Sequence, residues 1–582
     1  MELLPTETPA PDAPPQRQVT NACFSPAAPT PISTPQLAAI SPSALSLLGL
    51  DADAVAAAAA DDPDEVASYL CGNTPIPGGR TGAHCYAGHQ FGYFSGQLGD
   101  GATMYAGETV GGPQGRMEIQ YKGAGKTPFS RTADGRKVLR SSLREYVASE
   151  VLASMGVPTT RAGSLVVSDK TRVVRDVFYD GNPSMERTAV ITRIAPSFLR
   201  FGSFEIARSV DPATGRAGPS SGNYDILDSL ATYVIDTHYP HLKDDDAPVA
   251  SLLEKVAART GTLVAHWQGI GFCHGVLNTD NMSVLGLTID YGPYGFMEAY
   301  NPRYVCNGSD DRARYTYEAQ PEICAWNCAK LAQSLAPLLS ARGEREPDVQ
   351  TAFAGAYQTA YVDIFRAKLG LGPSADTEVV TGLIESLFGV METTGADFTK
   401  TFRTLTRLEP EGGDAQIECV AQSLGAISVT PARAAALVET KVTEDQISQI
   451  RMLKESAPHL VAHIPDALLD AEEAKLTEKA RLASVSEEDK RADDVEAWRA
   501  FLETIYFPAV VSHGAEDRVG VMNAVNPAEV PRNAILQAAI DAARDEDYSL
   551  ITTLVELDWF DQDAVAAAAL PSVDLDSPLV VT

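Results

Sequence analysis

HGVLNTDNMSVLGLTIDYGPYGF, residues 274–296, places Asp280-Asn281 nine residues ahead of Asp290. Between them LGLTID reads as a short apolar strand, with Asp290 at its end and Gly292 just beyond. Carboxylate and amide oxygens are hard donors that suit Mg²⁺ or Mn²⁺. These three residues form the strongest candidate site in the chain.

Working outward, Lys122 ends the apolar run in IQYKGAG, and Glu145 follows 23 residues later in KVLRSSLREYVASEVLASMG. Leu139, Leu143, Val147 and Val151 make one stripe at helical period, closed by Gly156 and Pro158. In kinase-type folds a strand lysine pairs with a helix glutamate and contacts nucleotide phosphates. Glu150 is a rival to Glu145; five residues apart on a helix, the two project about 140° from each other, and the stripe allows either. Upstream, GQLGDGATMYAGE supplies Gly96, Gly99 and Gly101, whose backbones can approach phosphate or simply make a tight turn. No Gly-Lys-Ser/Thr follows, so this is not a Walker loop. TADGRKV sets Asp134 and Gly135 at the helix entrance, and RIAPSFLRFGSFE adds Arg193 and Arg200, arginines able to grip a polyphosphate. Ordinary kinase-like phosphotransferases carry an aspartate base two residues after the loop histidine, where this chain has Val276. Either the fold is inactive, or Asp280 serves a different chemistry.

The 582 residues carry 46 Lys+Arg against 77 Asp+Glu, a formal net charge of −31. Such a surface disfavours nucleic acid and anionic membranes, and no apolar run is long enough to span a bilayer. The N-terminus lacks the apolar core of a signal peptide and the Arg-rich pattern of a transit peptide. Eight scattered cysteines do not read as a disulfide framework, and His84, Cys85 and His89 lack the second half of a zinc site. The expected fold class is α+β: a two-lobed protein-kinase-like fold with a helical C-terminal extension. Its expected parts are a disordered Pro-rich tail (1–16), an N-lobe with the Gly-rich loop, Lys strand and Glu helix (17–205), and a helical C-lobe (206–440). A helical extension (441–550) and an acidic tail (551–582) complete it.

With these stretches in hand, the chain closely resembles the selenoprotein O family, kinase-fold proteins described as protein adenylyltransferases. The resemblance rests on HCYAGHQFGYFSGQLGDG (84–101), KGAGKTPFSRTADGRKVLRSSLREYVASE (122–150), GVPTTRAG (156–163), RDVFYDGNP (175–183), FCHGVLNTDNMSVLGLTIDYGPYGF (272–296) and RYTYEAQPEICAWN (314–327). It implies a flipped nucleotide, transfer of AMP from ATP to Ser, Thr or Tyr hydroxyls of proteins, and release of pyrophosphate. By resemblance Lys122 pairs with Glu145; Gly99, Gly101, Lys122, Asp134, Gly135, Arg193 and Arg200 bind ATP; Asp280 is the base; Asn281 and Asp290 bind Mg²⁺ or Mn²⁺. A conventional kinase and an inactive ATP-binding pseudokinase scaffold are the alternatives. Ala102 stands where many bacterial members have arginine, as in the animal-type branch. That branch implies a mitochondrial location, with the cytoplasm as alternative, and a monomer is expected. Family members often end in a redox-active cysteine or selenocysteine. The final SPLVVT suggests that the chain stops before a selenocysteine codon; a UAA or UAG codon after Thr582 would refute this.

Overall fold

Glycine-punctuated runs of β-branched and aromatic residues form one antiparallel sheet in a computed structural model that describes residues 2–131, 134–175 and 181–576. Its strands run in the order Phe24–Pro26, Gly82–His84, Thr103–Gly112, Gly115–Lys122, Ser184–Ala195, Arg161–Arg175 and Pro35–Ile40, while Lys137–Val138 pairs beside Ser184–Ala195. Register decides which side chains meet. Lys122 lies opposite Ile191, and Gln120 opposite Arg193. Side chains two apart on a strand share a face, so Lys122 and Arg193 point to the same side.

The helix Leu139–Ser154 packs across the sheet. The predicted stripe of Leu139, Leu143, Val147 and Val151 is buried, and so are Arg144, Glu145 and Glu150 on the other faces. Its end is closed by Gly156 at φ 77°, a left-handed position that favours glycine. Beyond residue 200 the chain is mostly helical. Tyr224–His238, Pro248–Gly269, Gln320–Arg342 and Val349–Lys368 form a body beneath the sheet, with the 274–296 segment between the two layers. A second apolar core forms around Phe365, Phe398, Phe402 and Trp498. Overall this is a mixed α/β architecture with an antiparallel sheet and many helices.

Three local expectations are corrected. LGLTID is not a regular strand: Gly286 takes φ 67° hard against Arg259, leaving only a single bridge from Thr159 to Thr288. Residues 2–16 are docked rather than disordered. Leu4 is buried, Cys23 donates to the Pro5 carbonyl at 2.7 Å, and Arg17 pairs with Glu7 at 2.7 Å. The described part of the supposed acidic tail also folds back, with the helix Ser549–Glu556 against Leu139–Ser154 and Trp559 fully buried. Apolar residues inside each acidic or proline-rich stretch explain both results, because each finds a hydrophobic surface. Thr132-Ala133 of TADGRKV, residues 176–180 of RDVFYDGNP and SPLVVT (577–582) lie outside the described residues.

Candidate active site

Sheet, helix and the 274–296 loop enclose a cleft of about 760 Å³, within the usual range for small-molecule sites. Gly99, Gly101, Lys122, Asp134, Glu145, Arg200, Asp280, Asn281 and Asp290 all line it. Two predicted residues stand behind the wall. Arg193 is buried beneath Glu145 and Asp290, and Gly135, at φ 105°, folds its loop against Lys126.

Lys122 Nζ donates to Glu145 Oε2 at 2.7 Å and lies 3.5 Å from Asp290 Oδ1. Arg193 joins the same two acids, reaching Asp290 Oδ1 at 2.6 Å. Arg200 contacts the other Asp290 oxygen, donates to the Asp280 carbonyl at 2.7 Å and faces Asp100 at 3.4 Å. Burial alone would raise the Asp290 carboxyl, but Arg200, Arg193 and Lys122 hold it well below the usual range. Asp290 also adopts φ 63°, uncommon for a residue with a Cβ, and the three cations fix its carboxylate in that conformation. Glu150 is no partner of Lys122. It turns to the opposite side, accepting from Arg161 at 2.6 Å and from the Ala162 N–H at 2.8 Å.

Asp280 is different. Among the described residues its Oδ1 is buried without a hydrogen-bond partner, and burial pushes the carboxyl up to about 7 against the pull of Arg200. Val276 lines the cleft as an apolar wall. Asn281 Oδ1 is likewise buried and unpartnered. The orphaned Asn281 oxygen lines the same cleft as the Asp290 carboxylate, and an amide oxygen and a carboxylate are donors that fit a hard divalent cation.

Sequence reasoning overlooked several residues. Asp100, between Gly99 and Gly101, is buried against Arg200, and burial lifts it to about 6; its flanking glycines were the available signal. Tyr86 carries the Arg200 guanidinium 4.8 Å above its ring. Phe91 lines the cleft at φ 50°, its N–H donating to Tyr315 Oη at 2.9 Å and Asn278 Oδ1 at 3.1 Å; nothing local announces that. His89, part of the incomplete zinc pattern, pairs with Glu205 at 2.8 Å, and its N–H donates to Thr279 Oγ1 at 2.7 Å. That contact seats the Ala87–Gln97 hairpin on the turn bearing Asp280.

Gly99 is needed for a close approach. It has φ 85°, and a Cβ there would fall 2.3 Å from Phe129 Cγ. Gly99→Ala is expected to destabilise the fold by about 1–2 kcal/mol from backbone strain and to displace Phe129, which lines the cleft. Calorimetry checks this; a wild-type unfolding free energy would show that the loop yields freely.

The protein adenylyltransferase SelO family model matches residues 24–558. The mouse "Protein adenylyltransferase SelO, mitochondrial" is 44% identical over 95% of this chain and 85% of its own length. The human protein of the same name is 44% identical over 96% of this chain and 85% of its own. A bacterial relative, "Protein nucleotidyltransferase YdiU" of Azoarcus sp. (strain BH72), is 36% identical over 93% of this chain and 89% of its own.

Proposed function

The chain belongs to the SelO family of protein adenylyltransferases, and on that footing we propose that its cleft moves AMP from ATP to protein hydroxyls. The activity is that of a protein adenylyltransferase, and the mouse and human names support a mitochondrial setting. The sheet with its helix and the helical body below are read as the two lobes of a kinase-like fold. The Lys122–Glu145 pair and the loop ending in Asp290 support that reading.

One observation carries the chemistry: Val276 offers no proton acceptor, whereas Asp280 lines the same cleft with an unpartnered carboxylate oxygen. The acceptor serine, threonine or tyrosine oxygen attacks the α-phosphorus, and Asp280 takes the hydroxyl proton. The bond from that phosphorus to the bridging oxygen breaks, and pyrophosphate leaves with the electron pair. Lys122 and Arg200 meet the phosphate charge, while Glu145 and Arg193 hold Lys122 and Asp290 in place. Mg²⁺ or Mn²⁺, held by Asn281 and Asp290, would supply further neutralisation of phosphate charge.

ATP labelled at either the α- or the γ-phosphorus tests the reading. Label should reach protein only from the α position, and Asp280→Asn should reduce the rate by about 10²-fold or more without loss of ATP binding. Transfer of the γ label would make the enzyme a conventional kinase.

A further inference from the structure

The cleft is rich in cations, and nearly all of them are already engaged. Lys122 has Glu145 and Asp290, Arg131 has Asp134 at 3.1 Å, and Arg140 has Glu186 at 3.0 Å. Arg144 is bound to Asn533 at 3.0 Å and to the Tyr294 carbonyl at 2.7 Å, and Arg200 to Asp290 and Asp100. Lys137 lines the same cleft, yet among the described residues its ammonium makes no hydrogen bond or ion pair within 4 Å.

Its position is fixed by backbone rather than by charge. Lys137 pairs with Ala189 in the sheet, immediately before the helix that carries Glu145. Its Cβ lies 3.2 Å from where a side chain on Gly123 would begin, so it flanks the glycine that follows Lys122. Ala102, whose carbonyl accepts from the Gly123 N–H at 2.7 Å, brings only a methyl group to this part of the cleft. Burial and then repulsion from Lys122 pull the Lys137 ammonium down to about 8, with Glu145, Asp134 and Asp290 opposing in that order. A half-buried ammonium beside a second one is unfavourable until an anion arrives. Lys122, rather than Arg193 or Arg200, is the cation whose field acts most on Lys137; those two arginines converge on Asp290.

From this arrangement we infer that Lys137 is a further ligand of the nucleotide polyphosphate, binding the terminal phosphates that depart as pyrophosphate. The inference rests on the reading of this cleft as the ATP site. A mobile point charge with three donors suits a phosphate chain that must be held and then released. Because the ammonium has no protein partner to give up, binding phosphate breaks no existing contact.

The test uses the full chain with Lys137→Met, Lys137→Arg and Lys122→Met, all checked for unchanged circular dichroism, and titrates ATP and AMP separately. Lys137→Met should weaken ATP about tenfold, the scale of one charge-assisted hydrogen bond, and leave AMP within twofold. Lys137→Arg should bind ATP within threefold of wild type. Three results would overturn the inference: unchanged ATP affinity in Lys137→Met, equal weakening of ATP and AMP, or failure of Lys137→Arg to restore binding. If Lys122→Met weakens ATP and Lys137→Met does not, the role of Lys137 falls while the ATP site stands. If neither does, the ATP-site reading falls with it.

Discussion

Asp290→Asn is expected to reduce AMP transfer by about 10³-fold or more while the protein remains folded and still binds ATP. Three cations share the Asp290 carboxylate: Arg193, Arg200 and Lys122. Asparagine preserves shape but removes the negative charge that holds them together and replaces one of the two oxygen donors by an NH₂ group. Two of the three, Arg193 and Arg200, are buried, so some stability is lost as well. Incoming phosphate can offset that loss, so ATP should raise the melting temperature of the variant more than that of wild type. Single-turnover transfer and thermal shifts with and without ATP would measure both effects. A variant that transfers AMP at more than a tenth of the wild-type rate would remove Asp290 from the reacting centre.

The second large effect lies far from the cleft. Arg532 and Asp397 are both fully buried and form a bidentate pair at 2.8 and 2.9 Å. Asp397 also caps the helix Phe398–Leu405 by accepting from the Lys400 N–H, and Glu529 reaches Arg532 at 2.7 Å. Asp397→Ala removes the main counter-charge of a buried guanidinium and should destabilise the protein by about 3–5 kcal/mol. Denaturant midpoints would register it, and limited proteolysis should show the 529–560 region opening first. Asp397→Leu combined with Arg532→Met should recover much of the loss, since neither charge is then stranded. If the double variant is no better than Asp397→Ala, the pair is not what binds the C-terminal segment.

The groups proposed to react were legible because they are local. Asp280, Asn281 and Asp290 sit in one short loop, and the spacing from Lys122 to Glu145 spans a strand end and the facing helix. The choice between Glu145 and Glu150 was not legible from the stripe, because this helix is buried on every side; the sheet register and Arg161 decide it. Asp100 and Lys137 gained their meaning only when Arg200 and Lys122 arrived beside them from elsewhere in the chain. Phe91 depends on Tyr315, more than two hundred residues away. The two docked ends were hidden by composition, since a few apolar residues in a proline-rich or acidic stretch look like noise until a surface is there to receive them.

That docking of the C-terminal segment bears on how the enzyme turns over. Arg187 of the sheet donates to the Ala543 carbonyl and to Tyr548 Oη, both at 2.9 Å, and Arg144 of the central helix holds Asn533. The same segment is bolted to the helical body through Arg532 and Asp397. The polypeptide therefore forms a ring, running from sheet to body and back to sheet, with the cleft inside its circumference. A wide hinge motion between the layers would have to break that ring. Exchange of ATP for pyrophosphate should accordingly depend on small movements at the lip, around Phe91 and the glycine loop, so turnover would follow the dynamics of those few residues rather than the swing of one half against the other.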